Sequence, residues 1–464
     1  FIPMCALNKV KGMGLIMEKT FITGIIPGVE KDVIFSSLEN SFEFCFMTDS
    51  IYSIHKKNIS VNVDVNDGFI FGKTHDNHDI AIYLGDRNFE VLGIFPLNTS
   101  TYIKSLGNIE SVDLTEYEGI TFVGGTLNNV FNADALDIKY EEGKTFIEYK
   151  DDTIQYRFIT EDYDMTIDVS SFISEHRGIE GKTISNTDVA LTIKFNKPQK
   201  LRTLFKHYNK IRDVLSFMTF RNNVDFDKIY LEKEDNDINI LMKFAEVYIR
   251  KENKLTTKKY FSNISFLDLG QSFENLLKII CEDKDNSKSI SLGFIPLNDE
   301  DFYVMTNEKV KNICTALECE FSFIPEVVEN AKNETINSLI KTAEEVVKEF
   351  RNGHKELSND VYSLIFSDIK RWSFPAKEKF CSLWHKYEQE MLMLNNSTII
   401  VTDEMIEETV KFRNDITHGN HRVLNSRIAL TAHYLSGLIY CCILERIGLD
   451  REKIKELCKE KILS

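Results

Sequence analysis

Eight residues near the C-terminus, Phe412-Arg413-Asn414-Asp415-Ile416-Thr417-His418-Gly419, bring together a guanidinium, an amide, a hydroxyl and an imidazole. A guanidinium offers phosphate oxygens a planar fork of donors. An imidazole titrates near neutrality, so it can take a proton or give one. Such a set can hold a phosphodiester and move protons around it. Residues four apart share a helix face, so Asn414 and His418 form one stripe and Arg413 and Thr417 the stripe beside it. Gly419 then stops the helix. His418 is left on the last turn, where the helix dipole favours a protonated ring.

Spacing alone does not select this site. Arg-x4-His occurs twice, at Arg202 to His207 and at Arg413 to His418, and the looser Arg-x5-His adds Arg427 to His433. Arg202-Thr-Leu-Phe-Lys-His207 has apolar residues between its ends and reads as a structural helix face. Arg413 differs because Asn414 follows it directly and a glycine closes the helix after His418. The bland reading is that Arg413 and His418 only cap and brace a helix end. Lys411, Thr417, His421 and Arg422 stand close enough in sequence to support phosphate binding. His421, Arg422 and His433 read equally well as surface residues.

Other constellations are weaker. His75-Asp76-Asn77-His78-Asp79 lies between two strand-like runs and reads as a solvated turn rather than a metal site. Cys381 and His385 share a helix face beside Leu383 and Trp384, which points to packing, and two further zinc ligands are missing. Cys314 and Cys319 have no partnering histidine pattern. Gly124-Gly125 lacks the Lys-Ser/Thr of a phosphate loop and reads as a turn or bulge. No Ser-His-Asp or GxSxG arrangement occurs. No metal and no cofactor is expected.

The elements that must position the octapeptide read as helices from about residue 326 onward. Pro325 marks a start, and Val327, Ile336, Leu339, Ile340, Ala343 and Val347 outline a first helix. Phe380, Leu383, Trp384, Tyr387 and Met391 outline another after Pro375. Thr402 caps a helix that runs through Ile406 and Val410 to Gly419-Asn420, with Asp403 and Glu404 in its first turn. Asn425 caps a final long helix carrying Ile428, Leu435, Leu438, Ile439 and Ile443. Four or five helices with short connections make an up-and-down bundle.

The front of the chain reads differently. Residues 17–197 carry short alternating runs, among them Ile59 to Val65, Asp79 to Leu84, Ile120 to Val123 and Ala190 to Phe195. A turn at Asp67-Gly68 and a hairpin of Lys144–Tyr149 with Thr153–Ile159 about Asp151-Asp152 are expected. Asn196-Lys197-Pro198 ends the last strand. The set suggests an antiparallel sandwich or jelly roll. Residues 198–330 mix a helix from Leu201 to Leu215, strands at 228–231 and 238–249, and a helix from Ser272 to Cys281. The expectation is therefore an α+β multidomain chain: a sandwich-like β-rich region at 17–197, a mixed module at 198–330 and a helical bundle at 331–464. Residues 1–16 read as an extension ahead of a native start at Met17, and Lys9 and Lys11 exclude a signal peptide.

Size and charge bound the function. At 464 residues, two to three domains are expected. With 33 phenylalanines and only 7 prolines, sizeable cores are affordable and long Pro-rich linkers are not. The net charge of −16 argues against a general nucleic-acid coat or an anionic-membrane binder. Residues 331–464 carry 20 basic and 20 acidic groups, so the whole −16 resides in residues 1–330. The helical part can meet RNA without repelling it. Nine cysteines without a CxxC pair suit reduced thiols in a cytoplasmic protein. The apolar stretch Tyr434–Leu444 is too short to span a bilayer, and no membrane partner is expected.

Arg413-Asn414-x3-His418 near the end of a four-to-five-helix bundle resembles the HEPN ribonuclease motif. The fuller Lys411–Gly419 segment, with a long β-rich region before the bundle, is similar to the Apea-type branch associated with abortive infection against phage. The likeness covers the last third of the chain. It implies a metal-independent endoribonuclease in which the RNA's own 2′-hydroxyl attacks the adjacent phosphorus. Arg413 would stabilise charge on the phosphoryl oxygens, His418 would transfer a proton, and Asn414 would hold His418 or the phosphate. It also implies a homodimer through the bundle, because each chain brings one such histidine. RNA, with tRNA among the candidates, is the implied substrate and a phage-derived signal the implied trigger. Two other classes are kept: a non-catalytic sensor or scaffold, and a HEPN toxin restrained by a nucleotidyltransferase-type antitoxin.

Overall fold

The computed structural model describes residues 21–27, 32–38, 41–46, 60–85, 89–92, 95–107, 113–131, 136–141, 144–149, 154–159, 164–178, 181–235, 240–250, 263–282, 292–302, 304–324, 334–354, 358–371, 375–394, 400–420 and 422–462. The expected extension at 1–16, the start at Met17, the turn at Asp151-Asp152, Pro325, Val327 and His421 lie outside the described residues. The protein is α+β, with a large antiparallel sheet toward the N-terminus and helices toward the C-terminus. It folds as two compact units that interleave in sequence. One comprises Phe1–Thr121, Lys194–Leu204 and Lys228–Glu252; the other comprises Phe122–Ile193, Phe205–Asp227 and Asn253–Ser464.

In the first unit, hydrogen bonding runs through strands in the spatial order Glu116–Val123, Lys228–Asp235, Ile240–Ile249, Thr101–Ser105, Asp79–Tyr83, Phe69–Thr74, Phe21–Ile26, Val33–Leu38, Ser41–Phe46 and Phe95–Asn98. The antiparallel β-rich region that was expected is present, and its hydrogen bonds run continuously because hairpins such as Phe21–Ile26 with Val33–Leu38 keep adding strands at the sheet's edge. Strands Ser60–Val63 and Phe89–Leu92 pair separately. Alternation buries one face, where Ile22, Ile26, Phe35, Phe42, Phe44, Ile70, Ile80, Ile82 and Tyr102 form the core. Part of the phenylalanine content is spent here, in ring pairs such as Phe42 with Tyr102 at 5.5 Å. Asp67 and Gly68 both take positive φ and make the expected turn.

Two local expectations fail. Lys144–Tyr149 pairs with Leu136–Glu141, not with the strand that follows it, while Ile154–Ile159 pairs with Asp164–Gly178. The register of the first pair runs from Leu136 opposite Tyr149 to Glu141 opposite Lys144. The strand expected to end at Asn196-Lys197-Pro198 continues from Gly181 to Lys200. Proline removes only its own donor, and Pro198 stands two residues from the strand's last residue, Lys200.

The second unit is mainly helical. Its principal helices are α1 (Leu204–Thr219), α2 (Ser272–Glu282), α3 (Asn307–Phe321), α4 (Glu334–Gly353), α5 (Asn359–Arg371), α6 (Ala376–Lys386), α7 (Glu388–Met393), α8 (Asp403–Thr417), α9 (Ser426–Arg446) and α10 (Arg451–Glu460). Helix α9 is the hub: residues from Ile428 to Leu444 are buried nearly all round, and α3, α7, α8 and α10 pack on it. Each such Leu or Ile contributes roughly 2 kcal/mol by leaving water. The bundle that carries the octapeptide therefore includes α3, which lies ahead of residue 331 in sequence. Helices α4 and α5 pair with each other.

Helix α9, at 21 residues, is longer than the apolar stretch read from sequence. It is long and apolar enough to cross a membrane by length and composition, but 78% of its apolar window is buried inside the protein. A core helix that is hydrophobic all round has the same composition.

Candidate active site

Helix α8 carries the octapeptide. Thr402 caps it by accepting from the Met405 backbone at 3.4 Å, and Asp403 and Glu404 occupy the dipole-favoured first turn. Met405, Ile406, Thr409, Val410 and Phe412 face the core, which turns the opposite side of the last two turns outward. At the C-terminus, Gly419 has φ of +78°, with open space about its α-carbon. The Gly419 N–H donates to Ile416 at 3.3 Å and the Asn420 N–H to Asp415 at 2.9 Å. These two bonds form a glycine-closed helix end in which the last carbonyls are satisfied. The chain then turns into α9. Asn425 caps that helix by accepting from Ile428 at 2.8 Å and donates to Glu408 of α8 at 3.0 Å.

Arg413 is half-buried. Its guanidinium pairs with the Glu318 carboxylate of α3 and donates to the Asn414 side-chain oxygen at 3.1 Å. His418 and Asn414 are exposed. The Asn414 amide oxygen is thus used by Arg413, not by His418. The His418 ring makes no hydrogen bond or ion pair with another described residue, so both nitrogens face solvent. Thr417 donates its hydroxyl hydrogen back to the Arg413 carbonyl at 2.7 Å, so it can only accept from a ligand.

The flanking cations are engaged. Arg422, one of the residues expected to support phosphate binding, pairs with Asp415 at 2.8 Å and staples the loop back to α8. Lys411 pairs with Glu407 at 2.7 Å, and the same carboxylate also takes Lys377 of α6. Those two cations hold the Glu407 carboxyl down at about 2.

The competing motifs resolve into structure. Arg202 pairs with Asp67 at 3.6 Å. His207 is buried in α1, where desolvation, followed by the nearby Lys206 and Lys210, pushes its pKa down to about 3 and keeps the ring neutral. Arg427 pairs with Glu408 at 3.7 Å. His433 is not the surface residue that the sequence allowed: it is half-buried, edge-on to Phe302 and Tyr434, and burial lowers its pKa. His75 to Asp79 is a polar turn in which His75 meets the Thr23 hydroxyl at 2.7 Å and Asp76 pairs with Lys104 at 2.9 Å. His385 pairs with Asp403 at 3.1 Å, and Cys381 is pushed up to about 12, mainly by burial. Gly125 takes a positive φ in a turn where its N–H reaches Asp227 at 2.7 Å. Among the described residues, no three His, Cys, Asp or Glu side chains gather as metal ligands would.

Comparison with family models, curated proteins and solved structures finds no match. The site therefore stands on its own geometry. Arg413 and His418 stand five positions apart at a solvent-facing helix end. Glu318, the carboxylate that holds Arg413, is the residue sequence reasoning missed. It lies 95 positions from Arg413, and no local spacing announces it.

Proposed function

We propose that this chain is a metal-independent endoribonuclease of the HEPN type that acts in antiphage defence in the cytoplasm. The observation that supports this reading most is the pairing of an exposed, unengaged His418 ring with an Asn414-braced Arg413 at the closed end of α8. One imidazole takes the proton from the 2′-hydroxyl, and the 2′-oxygen bonds to phosphorus. The P–O5′ bond breaks, and the leaving oxygen takes a proton from a second imidazolium. Arg413 offsets the charge that builds on the non-bridging oxygens. A second copy of the chain, related by a two-fold axis through the bundle, supplies the second His418. The acidic first 330 residues sense a phage-derived trigger or restrain the nuclease.

The test is incubation of the purified protein with tRNA and total RNA in EDTA. Cleavage should persist in EDTA and vanish in His418→Ala; EDTA-sensitive cleavage would remove the metal-free mechanism. One observation favours a second reading. The Arg413–Glu318 ion pair ties α8 to α3, which is what a purely structural arginine in a non-catalytic sensor or scaffold would do. A His418→Ala protein that keeps its full biological effect would select that reading.

A further inference from the structure

Helices α4 and α5 form a hairpin that leaves apolar side chains in solvent. Leu339, Val346 and Phe350 of α4 and Val361 and Leu364 of α5 are 58, 59, 51, 38 and 67% exposed. Single exposed apolar residues are ordinary on a protein surface, but five on one pair of helices mark a contact face. On α4 they fall, with half-buried Ala343, at steps of four, three and four residues. Such residues form one stripe along a helix, at the spacing of a helix–helix seam.

The hairpin is held together by its inner side. Tyr362 is buried, its hydroxyl donates to the His354 carbonyl at 2.8 Å, and the Arg351 guanidinium lies 5.5 Å over its ring. Arg351 also donates to Asn359 at 2.8 Å. Each exposed stripe stands one position ahead of that inner side: Leu339 ahead of half-buried Ile340, Val346 ahead of half-buried Val347 and Val361 ahead of buried Tyr362. Five residues separate the two helices, so they pack antiparallel. Stripes offset in the same sense from the packed sides of antiparallel helices turn to one side of the hairpin. The two stripes therefore make one face with on the order of 500 Å² of apolar surface. Among the described elements, α4 and α5 have each other as principal neighbours.

We propose that this face docks on the same face of a second copy of the chain, hairpin against hairpin about a two-fold axis. With a polar rim, its area approaches the ~800 Å² per partner that a specific interface buries. The two helices together carry five basic and six acidic residues, interspersed, so the face does not repel its own copy and does not select a strongly charged partner. A seam that runs over three turns calls for a helix as its occupant, and the two-fold axis supplies one from the same sequence. The proposal rests on exposure and spacing, so it stands or falls apart from RNA cleavage.

Sedimentation of the full-length protein tests it. The natural chain should run at twice 53.7 kDa. Val346→Glu combined with Leu364→Glu should halve that mass without changing the circular-dichroism spectrum, because both side chains are exposed in the single chain. The uncharged pair Val346→Ser and Leu364→Ser should weaken the dimer at least about tenfold. Ile240→Glu, the same charge placed at an exposed strand residue, should remain a dimer. A monomeric natural protein would overturn the proposal and leave the face to a different partner. A dimer that survives both double substitutions, or that is lost equally in Ile240→Glu, would overturn it as well.

Discussion

Arg413 is the residue on which the account turns, and the fold gives it a partner that the octapeptide does not contain. Helical spacing was enough to place Asn414, Thr417 and His418 around it, because one helix fixes those positions with no help from the rest of the chain. Glu318 was invisible, because it meets Arg413 only after α3 packs on α8. Sequence proximity likewise does not reveal that Arg422 pairs with Asp415. A carboxylate beside a phosphate site repels RNA and occupies the donors that RNA needs. Glu318→Gln should therefore bind RNA roughly several-fold more tightly at fixed salt, as read by filter binding. Weaker binding would instead make Glu318 a support for the guanidinium's productive position.

At the scale of elements, the caps were legible and the packing was not. Thr402, Asn425 and Gly419 each act through a few neighbouring backbone groups, and each sits where the sequence put it. Strand pairing was misread between residues 144 and 159, because each of the two strands pairs with the neighbour on its other side in the sequence, a choice that local alternation does not encode. The α3–α9 contact holds a further feature. Glu320 of α3 is buried and accepts from Arg446 of α9 at 3.0 Å, while its other oxygen is buried without a partner. Desolvation outweighs the attraction of Arg446 and pushes this carboxyl up to about 7 from an ordinary 4.5. Folding thus favours its protonated form. The resulting stability is present below about 4.5 and is lost as pH rises through about 7. Glu320→Gln does not titrate, so its stability relative to the natural protein should rise by roughly 1–3 kcal/mol between pH 5 and pH 8, measured by denaturant melts at each pH. A difference that stays flat with pH would show that Glu320 is ionised throughout.

At the scale of the whole molecule, composition located the acidic front, the helical end and an α+β build, because these are sums over many residues. It could not show that the two compact units interleave along the chain, a property of long-range pairing. The reading of one His418 per active site half makes quaternary structure part of the chemistry. Analytical ultracentrifugation should give twice 53.7 kDa at concentrations where RNA is cut; full cleavage by a monomer would remove the composite site. The most direct measurement of the central claim is the chemistry of the cut ends. RNA cleaved by the natural protein in EDTA should carry a 2′,3′-cyclic phosphate on one fragment and a 5′-hydroxyl on the other, and His418→Ala should yield neither. Ends bearing a 3′-hydroxyl and a 5′-phosphate, or the same ends from His418→Ala, would contradict it.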